Sequence, residues 1–468
     1  MGKLLPLTGP GVSPGYHQPV VSEPTPIPAV ARTDATPDLS IVIPVWNGDH
    51  SLGRLLPQLS RALRTLPATS EVLVVLPAGD PVERLVEAAG ARVVPPPDGG
   101  YGAALNAGLE AALGRWVVTM DADYSHHPEF VRTLWLNRES ADVLIASRYV
   151  AGAYAAMPLS RRVASRTLNS LYRTALALPY RDLSSGFRMS RRAVLKDLGP
   201  ASATGLDALQ ELIARAFAQG WRIEEVPLYY PQSKRWAGGR FAELSAGYLK
   251  TFGRMFSLRN SVKAADYDHR AFDSWIPLQR YWQRARFRVI RGMVDGSTRI
   301  LDIGCGSSRI VQSLPQAVGL DMQLRKLRWL RAPGRQLVQA SLMDLPFPDE
   351  AFDCVICSEV IEHIPREDIT LTDMVRVLAP GGVLVLGTPD YGRWIWRALE
   401  GAYKKVFPQG YATEHINLYT RATLRTEIET LGLTILDLQY VGASEMIFKA
   451  MKPAADGAAQ PTLRVAGS

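Results

Sequence analysis

Two short segments constrain the fold of this chain more than any other feature, because each is an apolar run that ends in chemically specific residues. Met-Asp-Ala-Asp at 120–123 closes the apolar run that begins at Trp116. Ile-Leu-Asp-Ile-Gly-Cys-Gly at 300–306 is an apolar run that breaks into a glycine turn. The first suits a nucleotide held through a metal ion, and the second suits a nucleotide laid against bare backbone. Together they indicate two nucleotide-binding domains and favour two enzyme activities over one.

The hydrophobic pattern around both segments predicts the α/β fold class. Short apolar runs alternate with helical stretches from Asp38 onward, and a second series extends from Arg299 to near Lys449. This alternation predicts, in each half, a parallel sheet with helices on both faces. In the first half we predict strands at Leu39–Trp46, Glu71–Leu76, Arg92–Val94, Trp116–Met120 and Asp142–Ala146, and helices at Leu52–Leu66 and Ala103–Leu113.

Changes in composition divide the chain into five predicted segments. Residues 1–37 contain eight prolines and little periodicity, which is typical of a disordered tail. The remaining segments are a first α/β domain at 38–260, a basic linker region at 261–292, a second α/β domain at 293–452 and a disordered tail at 453–468.

Composition excludes several classes of protein. The 468 residues are 47% hydrophobic and 21% charged, which is ordinary for a globular protein, and the apolar runs are too short to cross a bilayer. Three cysteines imply no disulfide framework. Cys354 and Cys357 lie three positions apart on a predicted strand, so their side chains should point to opposite faces. We therefore expect buried thiols in a reducing cytoplasm rather than a zinc or redox pair.

Positive charge is concentrated between the two halves. Residues 234–291 contain 13 Lys/Arg and 4 Asp/Glu, a local charge of +9 in a chain whose total is +8. Such an excess suits an anionic membrane surface or a phosphorylated substrate, and the lack of zinc-finger and RNA-stacking motifs disfavours nucleic acid. Within this segment Leu244–Arg259 fits either an interfacial helix or a helix packed on the first domain. Its apolar stripe comprises Tyr248, Leu249, Phe252, Met255 and Phe256.

Asp121 and Asp123 follow a predicted strand, at the end where open α/β sheets bind ligands. Two carboxylates one residue apart can hold a divalent cation that neutralises a departing diphosphate. Together with Gly-Tyr-Gly-Ala-Ala-Leu-Asn at 100–106, this stretch resembles a family 2 glycosyltransferase of the dolichol- or polyprenyl-phosphate hexose synthase type. The resemblance spans about Leu39–Leu258 and includes Ile-Pro-Val-Trp-Asn at 43–47, Ser-Arg-Tyr at 147–149, Ser-Ser-Gly-Phe-Arg at 184–188 and Glu-Glu-Val-Pro-Leu at 224–228.

This resemblance implies a GT-A fold, Mg²⁺ or Mn²⁺ as the metal, a nucleotide-sugar donor and a lipid-phosphate acceptor. It places the metal on Asp121 and Asp123 and implies that Arg148 faces phosphate. The catalytic residues that it implies are Asp121, Asp123, Arg148, Arg188 and Glu211, and the nucleotide-sugar contacts are Pro44, Trp46, Asn47, Asp121 and Arg235.

Two departures from the family pattern concern the donor and the phosphates. Leu76 stands where the family has an aspartate that holds the base or ribose, so the identity of the nucleotide stays open. The late Arg-x-x-Gly-x-Ser-Lys motif reads Arg-Trp-Ala-Gly-Gly-Arg-Phe at 235–241, with Arg240 and Phe241 in place of the Ser-Lys pair. A cation is retained nearby, which keeps a phosphate contact in this segment.

The glycine turn at 304–306 precedes a helical run, an arrangement that lets backbone approach a ligand. Val-Gly-Leu-Asp at 318–321, Ser-Glu-Val-Ile-Glu-His at 358–363 and Leu-Ala-Pro-Gly-Gly at 378–382 follow in order. This half closely resembles the small-molecule class I methyltransferases, with a Rossmann-like fold and S-adenosyl-L-methionine as cofactor. The cofactor contacts implied are Asp302, Gly304 and Gly306 on the methionine part, Asp321 on the ribose, Leu342, Met343 and Asp344 along the adenine, and Ser358. Ser341 replaces an acid that many relatives carry near the adenine.

The acceptor side of this half offers two histidines. His363 follows the fourth predicted strand and His415 lies in Thr-Glu-His-Ile-Asn, and either could take a proton from a sugar hydroxyl. Structural roles for both remain open. The aromatic insert 391–412, which contains Trp394, Trp396 and Tyr403, fits either a substrate lid or a cover over apolar core.

We therefore predict a bifunctional cytoplasmic enzyme, peripheral on the inner face of the cell membrane. One half would transfer a hexose to polyprenyl phosphate or a related lipid-linked acceptor, and the other would methylate an oxygen of the glycan or lipid. Two alternatives stay open: a methyltransferase whose first half is an inactive docking module, and a glycosyltransferase for a soluble saccharide or protein.

Overall fold

The computed structural model describes residues 36–45, 51–230, 241–364, 371–406 and 415–454, without the side chains of Arg161, 241–246, Leu399 and 402–406. The chain divides between Arg259 and Asn260 into two compact units, apart from Ala218–Gly220, which groups with the second unit. No helix within the described ranges combines the length and the apolar character needed to cross a bilayer.

The first unit is built on a sheet in which seven strands are described. In spatial order the strands run β3-β2-β1-β4-β7-β5-β8. Strand β7 pairs antiparallel with both β4 and β5, and the other pairs are parallel. The strands are β1 (Leu39–Pro44), β2 (Ser70–Val75), β3 (Arg92–Val94), β4 (Trp116–Thr119), β5 (Val143–Ser147), β7 (Arg188–Arg191) and β8 (Ile223–Pro227), with β6 (Tyr154–Ala155) and β9 (Tyr229–Tyr230) forming a separate short ladder.

Helices cover both faces of this sheet. Leu52 of one helix packs with Ile41 of β1 on one face, and Ala104 of another packs with Val42 of β1 on the other. Helix α3 (Tyr101–Ala111) approaches β1 and β2 very closely at Gly108, where a Cβ atom would lie 2.3 Å from Val42 Cγ1. The glycine therefore sets the distance between α3 and the sheet. The other helices of the unit are α1 (Leu52–Arg64), α2 (Glu83–Ala88), α4 (Phe130–Leu136), α5 (Leu159–Ala175), α6 (Arg192–Leu198), α7 (Ala208–Ala218) and α8 (Phe241–Arg259).

The second unit has a sheet with the described strand order β12-β11-β10-β13-β14-β16-β15. Strand β16 pairs antiparallel with β14 and with β15, and the other pairs are parallel. The strands are β10 (Ile300–Ile303), β11 (Ala317–Asp321), β12 (Gln336–Gln339), β13 (Phe352–Ser358), β14 (Leu378–Pro389), β15 (Thr434–Val441) and β16 (Glu445–Met451).

The segment predicted as a basic linker contributes two helices to the second unit, α9 (Tyr267–Phe272) and α10 (Pro277–Met293). Ile290 and Met293 of α10 pack with Ile356 and Val385 in one buried cluster, so this helix covers one face of the sheet. The remaining helices are α11 (Arg309–Ser313), α12 (Leu324–Leu330), α13 (Thr372–Val377), α14 (Trp394–Val406) and α15 (Arg421–Thr430), with a 3₁₀ turn at Ile361–His363.

The α/β class is confirmed in both halves, and the purely parallel sheets predicted from alternation are wrong. Antiparallel β7 and β16 enter because a strand that returns from across the sheet leaves the same local apolar pattern as a parallel one. The prediction for the cysteines is confirmed: Cys354 and Cys357 are fully buried, and they belong to hydrophobic clusters on opposite faces of β13.

The apolar stripe of α8 is divided in the structure. Met255 is buried, and the Phe252 ring lies edge-on 5.2 Å from Tyr172, so this part of the stripe packs within the first unit. Leu249 and Phe256 are exposed. Packing within the domain therefore accounts for one side of the helix, and two large apolar side chains still face outward.

Candidate active sites

The two carboxylates of the first signature lie just beyond the carboxyl end of β4, in the middle of the first sheet. The Asp121 side chain is partly exposed and Asp123 is exposed. Asp123 Oδ1 accepts a hydrogen bond of 2.9 Å from the Ser125 backbone N–H, which fixes the turn after the strand. Carboxylate oxygens presented at a sheet end suit a hard divalent cation. The residues present therefore fit the Mg²⁺ or Mn²⁺ that the motif implies.

His126 supports this turn from beneath and was missed by sequence reasoning. Its Nδ1 accepts a 2.9 Å hydrogen bond from the Asp121 backbone N–H, and its ring stacks on Phe187 at a centroid distance of 4.8 Å. Burial lowers the pKa of His126, so the ring is neutral at neutral pH. His126 therefore positions Asp121. The sequence feature that could have indicated this role is the His-His pair that follows the two carboxylates.

The loop before β7 approaches Asp121. A Cβ atom at Gly186 would lie 2.8 Å from Asp121 Oδ1, so a larger residue there would displace that carboxylate. Arg148, predicted to face phosphate, forms a bidentate pair with Asp182 through bonds of 2.8 and 2.7 Å. Burial alone would raise the pKa of Asp182, but the guanidinium of Arg148 holds it below its ordinary value. Asp182, which sequence reasoning also missed, therefore orients Arg148 beside the loop.

Arg188 and Glu211, predicted as catalytic, are both buried and bonded to backbone. Arg188 donates bonds of 2.6 Å to the carbonyls of Leu183 and Leu209, and burial lowers its pKa to about 10. Glu211 accepts from the N–H groups of Ser202 and Ala203 at 2.9 and 3.0 Å. These contacts hold together the loops around Asp121, which is a positioning role.

The remaining predicted donor contacts are placed unequally. Pro44 is the last residue of β1, whereas Trp46, Asn47 and Arg235 lie outside the described residues. Beside the Ser-Arg-Tyr segment lies a cavity of about 340 Å³. Arginines and hydrogen-bonding side chains surround it, namely Tyr149, Arg166, Asn169, Ser170, Arg173 and Arg181.

The glycine turn of the second signature follows β10 and has a left-handed backbone, which glycine adopts readily. Gly304 and Gly306 have φ values of +66° and +55°, and a Cβ atom at Gly304 would lie 2.2 Å from Val360 Cγ2. Asp302 Oδ2 is buried, and no described residue donates a hydrogen bond to it. Burial and the nearby Asp321 raise the pKa of Asp302 to about 8. A cofactor ammonium group would satisfy this carboxylate, so the residues present fit S-adenosylmethionine.

Asp321 lies at the end of β11, where the predicted ribose contact should be. Its Oδ2 accepts from the Gly306 N–H at 2.9 Å and its Oδ1 from the Gln323 N–H at 2.7 Å, so it braces the glycine turn. Leu342 is buried, while Met343 and Asp344 are exposed after β12. Ser358, at the end of β13, carries a buried Oγ that forms no hydrogen bond within the described part of the chain.

Asp268, on α9, is a further residue of this site that sequence reasoning missed. Its Oδ2 accepts from the Ser307 N–H at 3.0 Å and from Lys326 Nζ at 2.9 Å, and a Cβ atom at Gly306 would lie 2.7 Å from it. Burial alone would raise the pKa of Asp268, but Lys326 and Ser307 hold it below its ordinary value. No motif marked it, because it precedes the glycine turn by more than one element.

The structure brings His363 and His415 together, although the sequence separates them. Their ring centroids are 4.9 Å apart, and one ligand atom from each of Glu362, His363 and His415 lies within 4.8 Å of the others. The His415 Nδ1 lies 2.6 Å from Tyr391 Oη. Glu362 is fully buried, and burial raises its pKa to about 7.

The structure describes only part of the aromatic insert, and the side chain of Tyr403 is not in the described part. Trp394 is exposed, whereas Trp396 stacks beside His415 with centroids 6.1 Å apart and planes at 23°. One tryptophan therefore belongs to the wall of the histidine site, and the other faces solvent.

Two family models match the chain in the order predicted. The model described as glycosyl transferase family 2 matches residues 40–199, and the model described as a methyltransferase domain matches residues 301–386. These matches confirm the two predicted fold assignments and the pair of transferase activities.

Three known proteins are similar in sequence to the first half of the chain. A dolichyl-phosphate hexose transferase of Haloferax volcanii is 30% identical over 194 residues, which are 41% of this chain and 82% of the relative. A polyprenol monophosphomannose synthase of Mycolicibacterium smegmatis is 37% identical over 140 residues, which are 28% of this chain and about half (53%) of the relative. An uncharacterized glycosyltransferase of Mycobacterium bovis is 32% identical over 197 residues, which are 41% of this chain and 84% of that protein.

Proposed function

We propose that this protein transfers a hexose from a nucleotide sugar to polyprenyl phosphate and methylates an oxygen of a glycan or lipid. The chain belongs to the family 2 glycosyltransferases and also carries a methyltransferase domain. The observation that carries the first activity is the pair Asp121 and Asp123 at the end of β4, with the loop 182–188 approaching Asp121. The relatives that act on dolichyl or polyprenyl phosphates favour this acceptor class over a protein or soluble saccharide.

The chain's own residues account for binding and orientation in the sugar transfer. A divalent cation at Asp121 and Asp123 would neutralise the departing nucleotide diphosphate. His126 and Gly186 hold Asp121 in place, and Asp182 fixes the direction of Arg148. A phosphate acceptor is already ionised at neutral pH, so the first site needs no general base.

The arginine-lined cavity supports a phosphorylated acceptor. Arg166, Arg173 and Arg181 line it beside Tyr149, whose ring lies 5.4 Å from the Arg166 guanidinium carbon. Guanidinium groups bind phosphate oxygens through paired, charge-assisted hydrogen bonds. The exposed Leu159, Val163 and Leu171 on α5 would face the apolar part of a lipid or the membrane that carries it. Peripheral attachment to the inner face of the cell membrane follows from this proposal.

In the second half, Asp302 and the turn 304–306 would hold the methionine part of S-adenosylmethionine, with Asp321 at the ribose. When bound, this cofactor supplies an electrophilic methyl group. Val360 packs against Gly304 and directly precedes the turn that carries Glu362 and His363, so the acceptor hydroxyl would lie among those side chains.

The test is a mass-spectrometric transfer assay with Mn²⁺, undecaprenyl phosphate and a panel of nucleotide hexoses, with and without S-adenosylmethionine. We expect a lipid heavier by one hexose, and a further methyl shift if both sites act on one product. Asp123→Ala should lower hexose transfer at least about 100-fold, as does loss of a charged transition-state contact. Glu110→Ala, an exposed acid on α3, is the matched control.

The acceptor cavity is tested in the same assay. Replacing Arg166 and Arg173 by alanine should raise the KM for undecaprenyl phosphate about 10-fold or more and leave the KM for the donor unchanged. Arg84→Ala, at an exposed position of α2, is the control. A donor panel that yields no product would favour a docking role for the first half, and transfer to a soluble sugar would replace the lipid acceptor.

A further inference from the structure

The feature that the proposed function explains least is a group of acids and histidines after β13, in which Glu362 is fully buried and the others are partly buried. It comprises Glu359, Glu362, His363 and His415, and we call it the Glu/His cluster. We propose that the Glu/His cluster binds a divalent first-row transition metal ion that activates the acceptor hydroxyl for methyl transfer. The binding site stands on its own contacts, and the catalytic part of this inference rests on the proposed methyltransferase function.

Two carboxylate oxygens in the cluster have no hydrogen-bond partner among the residues that the structure describes. Glu362 is fully buried; its Oε2 accepts from Thr388 Oγ1 at 3.1 Å, while its buried Oε1 meets no donor in the described part of the chain. The same holds, within those ranges, for the buried Oε1 of Glu359. A buried polar atom left unsatisfied destabilises a fold, and more so when it is charged. A cation bound at Glu362 would remove this cost for its Oε1.

The charge around the cluster is also unbalanced. Arg286 binds both oxygens of the buried Glu445 at 2.6 and 2.8 Å and contacts Glu359 Oε2 at 3.1 Å. Glu362 brings a third carboxylate into the same buried region. Buried charges persist when they are paired or bind metals. A divalent ion would supply the positive charge that one guanidinium does not.

The ligand types and their spacing fit a transition metal. One atom each from Glu362, His363 and His415 lies within 4.8 Å of the others, so a central ion could reach all three with small side-chain movements. Two imidazoles with carboxylate oxygens suit Zn²⁺, Co²⁺, Mn²⁺ or Fe²⁺ better than Mg²⁺ or Ca²⁺, which prefer oxygen ligands alone.

His415 is oriented from behind in the way that metal-binding histidines usually are. Its Nδ1 lies 2.6 Å from Tyr391 Oη and 3.3 Å from Glu400 Oε1, and Tyr391 Oη donates to the same Glu400 oxygen at 2.8 Å. A carboxylate or hydroxyl on one ring nitrogen fixes the tautomer and directs the other nitrogen to the metal. We therefore assign Nε2 of His415 as the ligand atom.

Backbone geometry ties the cluster to the cofactor turn. Glu359 has φ +61°, an uncommon value for a residue other than glycine, and such strain concentrates at functional sites. The next residue, Val360, packs against Gly304, so the cluster adjoins the predicted methionine site. A metal ion there would lower the pKa of a bound sugar hydroxyl, and the acceptor oxygen would form its bond to the methyl carbon as the carbon–sulfur bond breaks. The hydroxyl proton would pass to solvent.

Co²⁺ is the probe, because its visible spectrum reports nitrogen ligands. The starting protein is the full chain with Asp121→Ala and Asp123→Ala, because these changes remove the other proposed metal site. It should bind one Co²⁺ per chain in equilibrium dialysis and show a d–d band in its visible spectrum. Adding His415→Ala or Glu362→Gln should weaken Co²⁺ binding about 100-fold or more. Tyr391→Phe, which removes only the support behind His415, should weaken it about 10-fold. His269→Gln, a histidine outside the cluster, should leave it unchanged.

These measurements use no sugar or lipid, so they remain interpretable if the proposed acceptor is wrong. S-adenosylmethionine binding by calorimetry shows that each variant is folded in its second unit. Absence of Co²⁺ binding in the Asp121→Ala/Asp123→Ala chain, or binding that is unchanged by His415→Ala, would overturn the site. Methyl transfer that continues at full rate after chelation would overturn the catalytic role and favour His363 as a general base.

Discussion

Replacing Gly304 by alanine tests why the cofactor turn contains glycine there. Two costs are expected. Alanine at φ +66° pays about 1–2 kcal/mol for the left-handed backbone. Its Cβ atom would also lie 2.2 Å from Val360 Cγ2, and relieving such an overlap costs about 1–3 kcal/mol.

Gly334 provides a matched control in the same unit. It has φ +77°, and a Cβ atom there would meet nothing within 4 Å, so Gly334→Ala carries only the backbone cost. The two variants should therefore differ by about 1–3 kcal/mol in the local free energy of unfolding, which corresponds to roughly 5- to 150-fold in exchange rate.

Hydrogen exchange of peptides that cover β10 and β13 measures this difference within the second unit, and calorimetry gives the affinity for S-adenosylmethionine. Val360→Ala removes the methyl group that alanine would strike, so Gly304→Ala and Val360→Ala together should recover most of the extra loss. If Gly304→Ala costs no more than Gly334→Ala, or if Val360→Ala fails to rescue it, the close approach of Val360 does not explain the glycine.

Two further predictions concern buried charge in the second unit. Arg286→Met should destabilise the unit by about 3–5 kcal/mol because it leaves Glu445 buried without its cation, whereas Arg299→Met, at an exposed ion pair, should cost under about 1 kcal/mol in the same exchange experiment. The pKa of Asp302 is raised to about 8, so the folded protein keeps a proton that the unfolded chain releases above about pH 4. The free energy of unfolding should therefore fall as pH rises from about 4 to 8. This group contributes up to about 1.4 kcal/mol per pH unit to that fall. Asp302→Asn should reduce the slope of unfolding free energy measured from pH 5 to 8 by this contribution, and an unchanged slope would assign it to other groups such as Glu362, whose pKa is also raised.

Local sequence was sufficient wherever one element carries the signal. Strand β4 with its two aspartates and strand β10 with its glycine turn appear where apolar runs end in polar or flexible residues, and both nucleotide sites follow from them. The burial of the cysteines on opposite faces of β13 followed from strand periodicity alone.

Sequence reasoning failed where a contact joins distant segments. The sequence near Arg148 does not indicate that its guanidinium will form an ion pair with Asp182, because that pairing depends on the register between β5 and β7. Asp268 was missed for the same reason, because it supports a turn that another element places. His126 is a different case: it bonds to Asp121 only five residues earlier, and the local His-His signal was overlooked. The antiparallel strands also depend on how the chain returns across the sheet, which local apolar periodicity does not encode.

The contact of Asp268 with the glycine turn has a consequence for how the methyltransferase half can be inherited or divided. The match to the methyltransferase-domain model begins at residue 301. The carboxylate that accepts hydrogen bonds from Ser307 and Lys326 nevertheless lies on α9, at 267–272. A segment cut at the start of the recognisable homology would keep the turn and lose one of its supports. The working module is therefore longer than the part that sequence comparison recognises, and recombination between such enzymes would preserve the cofactor site only if the exchange point lies before Tyr267.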